Sequence, residues 1–184
     1  MIIGLGLQTN NLIEKMGFRE VKAELIKLDK DSLIKHISEL YKKYKPVKEY
    51  FDFYVNPDEK EALSIYKDKV REGFYPKRGD RLRLSISRKA INDFKKLGVS
   101  PDSLADLMLH FVECGVELTN EFGDIDENFY SSIENTYANA IELMDKHGIL
   151  DKYKDRALKV VNETSGIGWG FHDYLGDVYH EHYE

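Results

Sequence analysis

The stretch that decides the fold spans residues 101–122 and reads PDSLADLMLHFVECGVELTNEF. Its apolar side chains recur every three or four residues, which is the spacing of one face of an α-helix. Ser100 before Pro101 is typical of an N-cap followed by proline at the first helical position, and Gly123 is a residue type that often ends helices. The stretch therefore predicts a long helix whose apolar face comprises Leu104, Leu107, Met108, Phe111, Val112 and Leu118.

The helical periodicity continues on both sides of this stretch. Towards the C-terminus it predicts helices over residues 127–147, 149–163 and 169–183, the first capped by Asp126. Towards the N-terminus it predicts helices over residues 19–27, 32–44, 46–55, 57–73 and 88–97, the last capped by Ser87. In helix 32–44 the side chains expected to be buried are those of Leu33, Ile37, Leu40, Tyr41 and Tyr44. The predicted fold is all-α, with about eight helices in hairpins that pack as a bundle or an array.

One short segment departs from the helical pattern. Leu82, Leu84 and Ile86 alternate with polar residues, which indicates at most one minor strand pair. The predicted organisation is an N-terminal extension over 1–18, a helical subdomain over 19–75, a basic linker over 76–87 and a C-terminal helical bundle over 88–184, together forming one compact domain.

Composition limits the class of protein. Of the 184 residues 42% are hydrophobic, enough for a core without disulfides, and Cys114 is the only cysteine. No apolar run approaches the roughly 20 residues of a membrane helix. The N-terminus lacks the basic start and the cleavage site of a signal peptide. These features indicate a cytoplasmic protein in a reducing compartment, with no membrane association.

Four runs of sequence carry a resemblance to a known family. They are LIKHISELY (33–41) with VKEYF (47–51), YPKRG (75–79), AINDFKKL (90–97) and SGIGWGFHDYL (165–175). Together they resemble a small bacterial family classed as a domain of unknown function, from about residue 18 to the end, and the C-terminal run is the most specific. The resemblance implies a helical, cytoplasmic bacterial protein, and it supplies no catalytic or binding residue.

Charge is segregated along the chain. Residues 77–96 hold eight Lys or Arg against two Asp, whereas residues 101–150 hold eleven Asp or Glu against one Lys. Such segregation favours docking to a protein partner or to a second copy of the chain. Aromatic residues are not interleaved with the basic segment, so nucleic-acid binding is the weaker alternative. The basic patch comprises Lys77, Arg78, Arg81, Arg83, Arg88 and Lys89.

A glycine-rich turn precedes the last predicted helix. In this turn glycines alternate with Ile167 and Trp169. It is not a phosphate-binding loop, because such a loop needs a preceding strand and a Lys-Ser/Thr pair, and the sequence shows neither. The structural interpretation is that Gly166 ends one helix while Trp169 and Phe171 fill the core. The functional interpretation is a ligand-contacting loop formed by Gly166, Gly168, Trp169, Gly170, His172 and Asp173.

Two polar stripes on predicted helices could bind a divalent metal. The first stripe, on helix 101–122, comprises Asp106, His110, Glu113, Glu117 and Glu121, and the second comprises Asp173, Asp177, His180 and Glu184. Imidazole and carboxylate groups are common metal ligands if two such faces meet inside a bundle. The candidate ligands are His110, Glu113, Glu117, Asp173, Asp177 and His180. The alternative is that both stripes are the solvated faces of amphipathic helices.

No catalytic residue emerges from these patterns. Cys114 lies within a strongly apolar helix, where a thiol is usually unreactive. The leading hypothesis is a non-catalytic binding or scaffold module that acts through protein–protein contacts and needs no cofactor. The alternatives are a metal-dependent enzyme or metal-binding regulator that uses the two stripes, and, less strongly supported, a nucleic-acid-associated protein.

Overall fold

Nine α-helices make up the regular structure of the part of the chain that the computed structural model describes, residues 17–77, 79 and 81–183. Their bounds are α1 Phe18–Leu25, α2 Lys30–Lys43, α3 Lys45–Val55, α4 Glu59–Phe74, α5 Leu84–Lys96, α6 Pro101–Phe122, α7 Glu127–Lys146, α8 Leu150–Glu163 and α9 Phe171–Tyr183. No strand occurs within the same residues. The all-α prediction is confirmed, and each of the predicted helical ranges has a counterpart among these helices.

Local capping chemistry sets the bounds of the two longest helices. Ser100 caps α6 by accepting a hydrogen bond from the backbone N–H of Ser103, and Pro101 occupies the first turn. The carboxylate of Asp126 caps α7 by accepting from the N–H of Phe129 at 2.9 Å. After α6 the backbone turns at Gly123, whose positive φ of 85° is easily adopted only by glycine. These bounds were readable in the sequence because caps are local interactions.

The chain divides into two compact units, between Lys48 and Glu49. The described part of the first unit contains α1, α2 and the first turn of α3, and none of these helices has a buried side chain. The predicted burial of Leu33, Ile37, Leu40, Tyr41 and Tyr44 is therefore wrong: Ile37 and Leu40, for example, are 42% and 45% exposed. Two short helices provide no second layer to cover an apolar stripe within their own unit.

The core of the second unit is built around α6. Half of its 22 residues are buried, and it packs against α4, α5, α7 and α8. Its Gly115 lets α7 come close, because a Cβ at that position would lie 2.4 Å from Cδ1 of Ile133. The last helix, α9, packs on α7 and α8 through the buried side chains of Phe171, Leu175 and Tyr179.

None of the helices among the described residues has both the length and the apolar character needed to span a membrane.

The start of α5 corrects two expectations. Most of the period-2 segment and the end of the predicted basic linker are helical, because α5 begins at Leu84. Leu82 and Arg83 precede the helix. Ser87 does not cap this helix: it is fully buried inside the first turns, where its hydroxyl donates to the carbonyl of Val70 at 2.7 Å. The N–H of Arg83 also donates to the carbonyl of Gly73 at 2.8 Å. These contacts between α4 and α5 favour helix where the alternation suggested a strand.

Gly73 is the residue that permits this close approach. A Cβ added to it would lie 1.9 Å from Oγ of Ser87 and 2.9 Å from the backbone oxygen of Arg83. We therefore expect Gly73→Ala to lower the free energy of unfolding by about 1–3 kcal/mol, the usual cost of overpacking. Urea titration followed by circular dichroism measures this loss.

Gly176→Ala is the matched control. Gly176 is also inside a helix, α9, but a Cβ there would lie 3.9 Å from Val161, an ordinary contact. Alanine should therefore raise stability by roughly 0.5–1 kcal/mol at this position. A Gly73→Ala variant as stable as Gly176→Ala would contradict the close approach of α5 to α4.

Candidate functional site

The polar stripe of α6 lies between the two helices that flank it, α4 and α8. Asp106, His110 and Glu113 are half-buried, whereas Glu117 and Glu121 are exposed. A carboxylate partly removed from water needs a cation or hydrogen-bond donors to stay charged. The structure supplies cations from both sides.

From α8, Arg156 reaches two carboxylates of the stripe. Its Nε and Nη2 donate to the two oxygens of Glu113 at 2.5 and 2.8 Å, and its Nη1 pairs with Asp106. One turn earlier, Nζ of Lys152 lies 2.6 Å from Asp102. The planar fork of arginine is suited to this two-point contact with a carboxylate.

From α4, two more cations reach the same stripe. Nζ of Lys67 lies 2.9 Å from Asp106, and Arg71 donates to both oxygens of Glu117 at 2.8 and 2.9 Å. Burial alone would raise the pKa of the Asp106 carboxyl, but the hydrogen bonds and charges of Lys67 and Arg156 outweigh it and hold that pKa below its ordinary value. The hydrogen bond from Arg71 likewise lowers the pKa of Glu117.

His110 and Cys114 lie one turn apart inside this network. Nε2 of His110 is 3.6 Å from Sγ of Cys114, a separation that resembles a nucleophile and its base. Burial, however, raises the pKa of the Cys114 thiol to about 11, and only 1% of the residue is exposed. Burial also lowers the pKa of His110. The pair is therefore a neutral thiol beside a neutral imidazole at pH 7, and the thiol is closed off from solvent.

The two stripes proposed as a metal site do not come together. His110, Glu113 and Glu117 lie on α6, where Arg156 and Arg71 hold the two glutamates. Asp173, Asp177 and His180 lie exposed on α9. Among the described residues, no three His, Cys, Asp or Glu side chains are arranged to hold a metal ion.

Sequence reasoning missed the cations that neutralise the α6 stripe. Lys67 and Arg71 are four residues apart, as are Lys152 and Arg156, so each pair lies on one face of its helix. This spacing matches the three- and four-residue spacing of the carboxylates. The sequence therefore contained the matching spacing, but only the tertiary structure shows that α4 and α8 are the helices that pair with α6.

The turn between α8 and α9 contains the most unusual backbone position. Trp169 has a φ of 63°, and it is the only described residue other than glycine with a positive φ. For a bulky side chain this conformation is strained, by about 1–2 kcal/mol. Despite its size, 80% of Trp169 is exposed. The expectation that it fills the core is wrong, whereas Phe171 is buried as expected.

The three glycines of this turn differ in their roles. Gly170 has a φ of 73°, which glycine tolerates. Gly166 and Gly168 have no positive φ, and a Cβ on either would meet nothing within 4 Å. The expectation that Gly166 ends the preceding helix is also wrong, because α8 ends at Glu163 and its C-cap is Thr164. The sharp change of direction takes place at Trp169 and Gly170.

Hydrogen bonds connect the turn to the α6–α7 turn, to the end of α8 and to the start of α9. The indole Nε1 of Trp169 donates to Asp124 at 3.4 Å, and the other oxygen of Asp124 accepts from the hydroxyl of Tyr130 at 2.9 Å. The buried hydroxyl of Thr164 donates to the carbonyl of Val161 at 2.7 Å and lies 2.9 Å from Nδ1 of His172. Hydrogen bonds therefore hold the turn that carries the exposed indole. Asp173 is also exposed and lies in the first turn of α9.

The basic segment does not neutralise the α6 stripe, which is paired with cations from α4 and α8. Lys77 and Arg81 lie between α4 and α5, Arg88 and Lys89 are on α5, and Arg78 lies outside the described residues. Lys89 pairs with Asp93 of its own helix. The guanidinium groups at 81, 83 and 88 line a cleft of about 550 Å³ together with the start of α7.

The Arg156 contacts predict a large loss of stability on truncation. Arg156→Met keeps the packing volume but leaves the half-buried carboxylates of Asp106 and Glu113 without their shared cation. We expect about 2–4 kcal/mol of destabilisation in urea titration at pH 7. Lys152→Met is the control: the side chains of Lys152 and Asp102 are 60% and 42% exposed, more than those of Arg156 and its partners, so the loss should be about 0–1 kcal/mol. Equal, small losses for both variants would contradict the ionic network.

The positive φ of Trp169 predicts that glycine is more stabilising than alanine at this position, the reverse of their usual order. Both Trp169→Gly and Trp169→Ala lose the indole, so they differ only in Cβ. We expect the glycine variant to be more stable by about 1 kcal/mol, since only it relieves the positive φ. Gly168→Ala, which needs neither space nor a positive φ, should be neutral or slightly stabilising. Thermal unfolding measures all three, and a more stable alanine at position 169 would show that the backbone there is ordinary.

Comparison with known proteins assigns the chain to a family. Neither the curated proteins nor the solved structures contain a match to it. The model of one family, described as a family of unknown function (DUF6155), matches residues 16–183. That match includes the α6 network, the Trp169 turn and the arginine-lined cleft. The chain belongs to the DUF6155 family of unknown function.

Proposed function

We propose that this protein is a non-catalytic binding module that docks a basic segment of a partner protein on the turn around Trp169. The observation that carries the proposal is the exposed indole, which lies on a strained backbone and donates a hydrogen bond to Asp124 in the turn between α6 and α7. Strained positions concentrate at functional sites. Tryptophan is among the residues that contribute most to binding energy in protein interfaces.

Charge supports a cationic partner. Residues 111–145 and 160–184 contain neither Lys nor Arg, so the ends of α6 and α8, the turn and α9 contribute only acidic charge. Exposed carboxylates there include those of Asp124, which holds the indole, and of Asp173. A Lys or Arg side chain stacked on an indole gains from the negative face of the ring. Acidic surroundings would add attraction and guide the encounter.

Further apolar surface fits the same role. Phe122, which ends α6 two residues before Asp124, is 66% exposed. In the first unit, α2 presents Ile34, Ile37 and Leu40 on one helical stripe, and Tyr44 follows as its C-cap; all four are at least two-fifths exposed. Exposed apolar stripes of this kind commonly mark surfaces that contact another protein. They fit a scaffold that makes more than one contact.

The burial of the thiol and the ion pairing of the α6 carboxylates are consistent with a non-catalytic role. The Cys114 thiol is buried with a raised pKa, and the α6 carboxylates are held by arginine and lysine. A free, buried cysteine is also typical of a reducing compartment. We infer that the protein acts in the bacterial cytoplasm.

Photo-cross-linking from position 169 tests the proposal. A photoreactive phenylalanine analogue replaces Trp169 in the native cell, and mass spectrometry maps the captured peptide. We expect one dominant protein adduct whose contact peptide is rich in Lys or Arg, and we expect raised salt to reduce its yield. The same analogue at Lys60, an exposed position of α4, is the control and should not capture that peptide.

Fluorescence provides a second readout, since Trp169 is the only tryptophan in the chain. Binding of the captured peptide should shift the emission of the exposed indole to shorter wavelength as water is removed from it. Asp124→Asn should weaken that binding. The proposal fails if position 169 yields no adduct, or if the captured contact peptide is neutral or acidic.

A further inference from the structure

We propose that the cleft between the starts of α5 and α7 binds a small ligand that carries a phosphate or diphosphate group. Three arginines, Arg81, Arg83 and Arg88, line the cleft, together with the polar side chains of Ser85 and Asn128. The cleft shares no residue with the Trp169 turn, so it is a second binding site, separate from the proposed docking surface.

The arginines are available to a ligand. All three are exposed, and within the described part of the chain no ion pair joins any of them to a carboxylate. This sets them apart from Arg71 and Arg156, whose guanidinium groups are used within the fold. Asp126 is the one carboxylate among the described residues that line the cleft, and it is engaged in capping α7. The cleft therefore keeps a positive excess that suits a polyvalent anion.

The backbone fixes the central arginine. The N–H of Arg83 donates to the carbonyl of Gly73 at 2.8 Å, and α5 begins at the next residue. No side chain among the described residues caps α5, so the positive end of its dipole adds to the field of the guanidinium groups. Guanidinium forks match the oxygens of a phosphate group in two-point contacts.

Size and lining favour a small molecule. A volume of about 550 Å³ lies within the range of small-molecule pockets. Leu82, Leu84 and Phe129 supply apolar surface beside the charged rim, which a bare ion would not need. The ligand class indicated is therefore a phosphorylated metabolite with an apolar or flat body, rather than free phosphate alone.

Isothermal titration calorimetry of the full chain with inorganic pyrophosphate tests the site, with sulfate at equal ionic strength as reference. We expect saturable one-to-one binding of pyrophosphate that is tighter than that of sulfate. In NMR spectra, the amide signals of residues 84–86 and 128 should shift on titration. A phosphate monoester with a flat body should bind more tightly than phosphate.

Charge-removing variants locate the binding. Arg83→Gln and the double variant Arg81→Gln/Arg88→Gln should each weaken pyrophosphate binding at least about tenfold, the effect of losing one charge-assisted contact. Arg19→Gln removes the same charge from an exposed position of α1 and should leave the affinity unchanged. Because all four arginines are exposed, unchanged melting curves should confirm that the variants fold.

Three results would overturn the proposal. One is binding of pyrophosphate no tighter than sulfate, and another is an equal loss of affinity in Arg19→Gln. The third is tight binding of a single-stranded oligonucleotide that Lys95→Gln/Lys96→Gln abolishes, since those lysines lie outside this cleft and would indicate a nucleic-acid surface. None of these results bears on whether Trp169 docks a partner.

Discussion

The pairing of the α6 carboxylates with cations from α4 and α8 is the interaction on which the larger unit depends. Burying half of α6 brings its polar edge partly out of water, and carboxylates there must be neutralised. Lys67 and Arg71 do so from one side, and Lys152 and Arg156 from the other. Because each pair has the spacing of one helical turn, the contacts also define how α4 and α8 are placed along α6.

This network changes how the acidic stripe is understood. A row of histidine and carboxylates on one helix suggests metal chemistry when it is seen alone. In the fold, Arg156 binds the glutamate beside His110, and the thiol of Cys114 is sealed from solvent. The two surfaces that we propose for a partner and a ligand lie at helix ends, on the turn that carries Trp169 and in the arginine-lined cleft. Rigid helices that position exposed loop residues are a common arrangement for binding sites.

The sequence predicted correctly those features that depend on interactions between residues close together in the chain. The bounds of α6 were correct because Ser100, Pro101 and Gly123 act within a few residues of themselves. The start of α5 was wrong because a distant residue, Gly73, lets Ser87 pack inside and donate to the carbonyl of Val70. Burial on α2 was wrong for a related reason: amphipathic spacing shows which face is apolar, but not whether another layer covers it.

By itself, the sequence determined the all-α class, the bounds of α6 and the start of α7, and the segregation of charge, since periodicity, capping and composition are local properties of the chain. Only the tertiary structure decided which cations neutralise which carboxylates, that Trp169 faces water on a positive φ, and that three arginines share one cleft. The ion pair from Arg156 to Glu113 and the contact from Trp169 to Asp124 join residues more than 40 positions apart, and only tertiary packing brings such residues together. The arginines are close in sequence, but residues 126–129, which complete the lining of their cleft, are about 40 positions away.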